Sequence, residues 1–132
     1  MLRERDVMTE SVNGRNGPPT ILVVEDEPLL RLALQEVLSD AGFAVVEADC
    51  VAQAVEMVLA PQRTIDLVFS DIRMPGAMNG MQLADWIRER HPGVPVLLTS
   101  GYSDKGMTQK YPFMPKPYDF GILVEKIRAM LG

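Results

Sequence analysis

The chain has 132 residues, 47% of them hydrophobic, enough for one compact domain with a single core and too few for two. Thirteen basic against eighteen acidic residues leave a net charge of −5, which works against nonspecific attraction to nucleic acid or to an anionic membrane, so neither is an expected partner. A single cysteine (Cys50), apolar runs of at most four or five residues, and an N-terminus with basic residues but no apolar stretch after them predict a cytoplasmic address.

Residues 1–19 are polar and end in "NGRNGPP", whose Asn, Gly and Pro favour turns, so they read as a flexible leader or linker before a folded domain over 20–132. From Thr20 onward short apolar runs alternate with segments of helical period, the pattern of a parallel α/β sheet. "TILVV" is the first strand, and Pro28 opens a helix in which Leu30, Ala33, Leu34, Val37, Leu38 and Ala41 share one face until Gly42 stops it. "FAVVEA" is a second strand. "VAQAVEMVL" follows as a helix with Val51, Ala54, Val55, Val58 and Leu59 on one face, ending before Pro61.

"DLVFSD" is the third strand; after the loop "IRMPGAMNG", Leu83, Trp86, Ile87 and Arg90 mark a third helix closed by "HPG". "VPVLLTS" is the fourth strand. "GYSDKGMTQKY" holds no sustained helical face, so a fourth helix there is short or frayed. "PFMP" is a brief fifth strand that its prolines confine to a sheet edge, and a last helix from about Asp119 turns Leu123, Ile127, Met130 and Leu131 inward. Strict alternation with right-handed crossovers predicts an α/β doubly wound five-stranded parallel sheet, order 2-1-3-4-5, with the proline-bearing strand outermost.

Ligands of such sheets bind beyond the carboxyl ends of the strands, near the point where strand order reverses. Glu25 and Asp26 end the first strand and Asp71 ends its neighbour, the third, so three carboxylates are expected to share a pocket. Two unit charges about 5 Å apart repel by about 3 kcal/mol at an effective dielectric near 20. Protonation or a bound divalent cation relieves that repulsion. Magnesium suits the second remedy, since it takes one or two carboxylates, keeps several waters and shares phosphate oxygens. Lys116, between Pro115 and Pro117, and Ser100, beside Gly101, bring an ammonium and a hydroxyl to the same end of the sheet.

The motifs "VVEDE", "FSDIRMPG", "LLTSGY" and "MPKPY", in this order and at these strand ends, resemble the receiver domains of bacterial two-component response regulators, of the chemotaxis CheY-like type. The likeness spans Thr20 to Leu131 and implies a flavodoxin-like (βα)5 fold. It implies that Asp71 is the phosphoacceptor in a phosphorelay, attacking a phosphohistidine on a histidine kinase or histidine phosphotransfer protein. It also implies that Asp26 and Asp71 hold Mg²⁺, with Glu25 acting directly or through water and the Arg73 carbonyl as a further ligand. Lys116 would pair with the phosphoryl oxygens, Ser100 would bond one of them, and Ser100 and Phe113 would be the switch pair that alters an interaction surface. Such a protein turns over no free substrate, and it would be a monomer or weak homodimer.

The sequence departs from the family in four places. Glu25 stands where aspartate is commoner, Phe113 lacks the tyrosine hydroxyl of the usual switch, the interval from Ser100 to Lys116 is short, and the loop "MPGAMNG" is a residue long. "TSGY" and "KPYD" are similar to receivers attached to hybrid histidine kinases. Glu25 and the short fourth helix also motivate an alternative, a receiver-shaped interaction module read by its partner regardless of phosphorylation. A haloacid-dehalogenase phosphatase would need D-x-D on the first strand, which "EDE" does not supply. His91, Cys50, Trp86 and the nine methionines read as structural residues.

Overall fold

The computed structural model describes residues 17–101 and 109–132. Most of the expected leader and most of the stretch expected to hold a short fourth helix lie outside the described residues. The elements in chain order are β1 (Thr20–Val24), α1 (Pro28–Asp40), β2 (Ala44–Ala48), α2 (Val51–Leu59), β3 (Leu67–Asp71), α3 (Gly80–Arg90), β4 (Val96–Ser100), β5 (Phe113–Pro115) and α4 (Phe120–Leu131). All pairings are parallel and the sheet order is β2-β1-β3-β4-β5, as the alternation predicts.

Local chemistry sets the boundaries. Pro28 begins α1, where a missing N–H is harmless, and Gly42 follows the helix at φ +99°, a conformation that L side chains rarely adopt. Asn79 and Gln82 form a reciprocal capping box at the start of α3, with the Gln82 N–H donating to Asn79 Oδ1 at 2.9 Å and the Asn79 N–H to Gln82 Oε1 at 2.8 Å. Asp119 caps α4 by accepting from the Ile122 N–H at 3.0 Å. β5 is only three residues long and pairs with β4 alone, as its prolines require.

Side-chain alternation splits the core into two layers. Leu22, Val24, Val68 and Leu98 point to one face and pack with Ala54, Leu83, Ala84 and Ile87 of α2 and α3. Ile21, Val23, Leu67, Phe69 and Leu97 point to the other and pack with Leu34 and Leu38 of α1 and Leu123 and Ile127 of α4. Leu59, expected on the inward face of α2, is 58% exposed. It is the last residue of that helix, and the exposed residues 61–64 after it leave no layer to cover it.

Gly80 fixes how close α3 comes to β3. A Cβ there would collide with the Asp71 carbonyl, and the Gly80 N–H donates to the Ile72 carbonyl at 2.7 Å. Only glycine permits this approach, which pins the helix start against the end of β3.

Candidate functional site

β1 and β3 lie side by side, and each ends in a buried acid. The backbone N–H of Glu25, just past β1, donates to the Ala48 carbonyl at 3.0 Å and so continues the ladder to β2. Its side chain is held inward because Oε2 accepts the Glu27 N–H at 3.0 Å. Asp71 closes β3, and its Oδ1 accepts the Arg73 N–H at 3.0 Å, a turn that fixes the carboxylate. Lys116 follows β5, where its N–H donates to the Ser100 carbonyl at 3.0 Å. From there Nζ reaches Asp71 Oδ2 at 2.6 Å and Glu25 Oε1 at 3.3 Å.

The repulsion expected between carboxylates is therefore met by an ammonium placed between two of them. Burial pulls the Lys116 ammonium down, but its hydrogen bond and charge contact with Asp71, and then Glu25, more than offset this and hold it above its ordinary value. For Glu25 burial dominates and raises the carboxyl above its ordinary range. The Glu27 N–H and Lys116 pull it back, and the Asp71 charge adds to the rise.

Asp26 does not join the pair. Its side chain is exposed, and among the described residues no group of three or more His, Cys, Asp or Glu side chains is spaced to hold a metal ion. Neighbouring side chains on an extended backbone diverge, so turning Glu25 inward turns Asp26 out. Ser100 ends β4 buried, opposite Pro115 in register, with its carbonyl tied to Lys116. Gly101 lines the cleft beside Lys116, although a Cβ there would make only ordinary contact with the Lys116 side chain. Phe113 is half-buried and packs on the α2/α3 layer of the core.

A family model described as "Response regulator receiver domain" matches residues 21–128. The chain belongs to the receiver domain family. Among solved structures, this receiver is similar to a response regulator receiver protein from Sinorhizobium medicae at 30% identity and TM-score 0.80, covering 86% of this chain and 94% of that one. It is also similar to the receiver domain of the hybrid histidine kinase CckA, at 34% identity and TM-score 0.74, over 86% of this chain and 99% of that one. A third likeness is to the response regulator TrrA of Thermotoga maritima in complex with Mg²⁺ and BeF, at 29% identity and TM-score 0.76, over 85% and 98% of the two chains.

Curated relatives are much longer than this receiver. It is 29% identical to the sensor kinase CckA of Brucella abortus over 96% of its own length but spans 14% of that protein. With the DNA-binding transcriptional regulator NtrC of Escherichia coli the figures are 32%, 85% and 24%.

Two features of this receiver escaped the sequence reasoning. Tyr118 lines the cleft with Lys116, and its hydroxyl is sealed from solvent with no hydrogen-bond partner among the described residues. Burial first, then the charges of Glu25, Asp71 and Glu27, hold that hydroxyl protonated far above its ordinary range. Its place two residues after the strand-end lysine was the available signal. Farther out, the Tyr111 hydroxyl donates to Asp85 Oδ1 at 2.6 Å, and Lys110 Nζ pairs with the same oxygen at 2.8 Å.

Proposed function

We propose that this receiver accepts a phosphoryl group on Asp71 from a phosphohistidine of a histidine kinase or histidine phosphotransfer protein in the cytoplasm. The observation that carries the reading is the buried Asp71 carboxylate at the end of β3, with Lys116 Nζ 2.6 Å from Oδ2. A carboxylate oxygen of Asp71 forms a bond to phosphorus as the P–N bond breaks, and the imidazole leaves with the electron pair. Lys116 neutralises charge on the phosphoryl oxygens, and Ser100 donates to one of them, so both are drawn toward the new anion. Ser100, opposite Pro115 at the end of β4, and Phe113, opposite Leu98 two residues earlier on the same strand pair, would carry that movement to an interaction surface.

The oxygens available beside Asp71 are hard donors, which suits Mg²⁺ rather than a softer metal. Asp71 and the Arg73 carbonyl would hold it together with Asp26, whose exposed carboxylate would have to swing in toward Asp71, and Glu25 would act directly or through water. When bound it would supply positive charge that lets one anion approach another. The role is signalling, with no free substrate turned over.

Intact mass after incubation with acetyl phosphate or phosphoramidate tests the assignment. One added phosphoryl group is expected on wild type with Mg²⁺, and none on Asp71→Asn or in chelator. Equal uptake by Asp71→Asn would refute it.

A further inference from the structure

The acids after β1 need a fixed backbone as much as a counter-charge. Side-chain capping does not supply it, because Glu27 is the N-cap of α1 and makes no side-chain capping hydrogen bond. Arg31, one turn into the helix, holds the turn instead. Its Nη1 donates to the Glu25 carbonyl at 2.8 Å, and its Nε lies 3.3 Å from Oε1 of Glu47 on β2. The Arg31 backbone N–H donates to the Glu27 carbonyl at 3.0 Å, so the same residue grips both ends of the acidic turn.

These contacts close a ring. Val45, two residues before Glu47 on β2, packs in the α1/α4 layer, so Glu47 faces α1 and Arg31. Next along β2, the Ala48 carbonyl accepts the Glu25 N–H at 3.0 Å. Glu25 is therefore tied to β2 twice, directly through its N–H and through Arg31 and Glu47 by its carbonyl. That carbonyl belongs to the planar peptide leading into Asp26, so holding it fixes the plane from which Asp26 leaves the chain. Asp26 is exposed. With the peptide held, its side-chain torsions are what must still be ordered when the carboxylate turns toward Asp71, and less entropy is lost than from a loose turn.

Arginine suits this task. Its donors lie in one rigid plane and serve two acceptors at once, which the single ammonium of a lysine on a flexible stem does not reproduce. The Glu47 carboxylate aims the guanidinium, whose side chain is only 23% exposed. Neither carboxylate oxygen of Glu25 is used, so both stay available to Lys116 and to a metal.

We propose that Arg31, oriented by Glu47, is a positioning residue for Mg²⁺: it fixes the Glu25–Asp26 peptide so that the acids of the β1–α1 turn meet the metal from a preset backbone. This role rests on the reading of Asp71 as a phosphoacceptor that uses Mg²⁺. It places a determinant of metal affinity on the edge strand β2, away from the cluster of strand-end side chains.

The test compares wild type, Arg31→Lys, Glu47→Gln and the double variant. Mg²⁺ affinity is read from an NMR titration of backbone amides, and phosphoryl uptake from phosphoramidate is followed by intact mass across a range of Mg²⁺ concentrations. Lysine keeps the positive charge, so Arg31→Lys isolates the loss of the fork. It is expected to weaken Mg²⁺ about five- to tenfold, the scale of one hydrogen bond to or from a charged group. Half-saturating Mg²⁺ for phosphoryl uptake should rise by the same factor, while the rate at saturating Mg²⁺ stays within about twofold of wild type. Glu47→Gln should weaken Mg²⁺ about threefold, the scale of a partly exposed ion pair, and should add nothing in the Arg31→Lys background.

Unchanged Mg²⁺ affinity in Arg31→Lys, even with a lowered melting temperature, would overturn the proposal by reducing the clasp to a structural tie. Tighter Mg²⁺ binding would overturn it as well, because the clasp would then be holding Asp26 away from the metal. An effect of Glu47→Gln that persists in the Arg31→Lys background would mean that Glu47 acts through its own charge, against the role given to it here. Wild type that binds no Mg²⁺ and takes up no phosphoryl group would defeat the reading of Asp71 and this role with it. Wild type that does both, with Arg31→Lys indistinguishable from it, defeats this role alone.

Discussion

One ammonium, that of Lys116, stands between two buried carboxylates, and its removal would leave them facing each other at low dielectric. Breaking a buried ion pair from one side usually costs about 3–5 kcal/mol. Because the Lys116 side chain is 23% exposed, water screens part of this, and Lys116→Met is expected to cost about 2–3 kcal/mol. Urea unfolding at neutral pH checks it, and added Mg²⁺ should narrow the gap by supplying the missing positive charge. The three members of this cluster were legible in the sequence because each is a charged residue at the end of an apolar strand, and strand order alone brings those ends together. What could not be read was orientation. Asp26 is as acidic as Glu25 and adjacent to it, but only the turn after β1 decides which of the two points inward. Tyr118 was hidden for a related reason, since its ring packs against Phe69 and Phe120, which come from different elements.

At the level of elements, strands and helices announced themselves through period two and period 3.6, and the observed boundaries fall within two residues of those expected. The tie between α3 and the start of β5 had no such signature, because it joins residues 26 apart. Tyr111 reaches back to Asp85 on α3, and Arg88 and Lys110 lie 5.7 and 5.8 Å from the Tyr111 ring centre. The hydrogen bond from Lys110, then that from Tyr111, holds the Asp85 carboxyl below its ordinary value of 3.8. A depressed carboxyl stabilises the fold fully above its ordinary value and loses that contribution as pH falls through the lowered one. Asp85→Asn is therefore expected to lower the melting temperature by about 2–3 °C at pH 7, corresponding to about 0.5–1 kcal/mol for so exposed a group. The difference should fade in scans run progressively below pH 3.8. A gap that persisted unchanged into strong acid would show that the tie depends on shape rather than on charge.

The molecule as a whole is a sheet with a separate apolar layer on each face, and the site sits where the two layers end. Glu25 and Asp71 continue the alternation that places Val23 and Phe69 in the α1/α4 layer, while Phe113, the expected switch aromatic, belongs to the α2/α3 layer. If Phe113 responds to Asp71, the change has to cross the sheet, and the β4–β5 edge, where Ser100 and Lys116 are joined by the backbone, offers one route. Whether the sheet insulates its faces can be tested with one methylene removed from each. Ile87 lies in one layer and Ile127 in the other, both fully buried. Each change to Val is expected to cost about 0.5–1.5 kcal/mol. If the faces are independent, the double variant should equal the sum within about 0.5 kcal/mol in urea unfolding. A larger discrepancy would mean that the interior strands transmit packing strain from face to face, so that a change at Asp71 could reach the α2/α3 layer without passing through the β4–β5 edge.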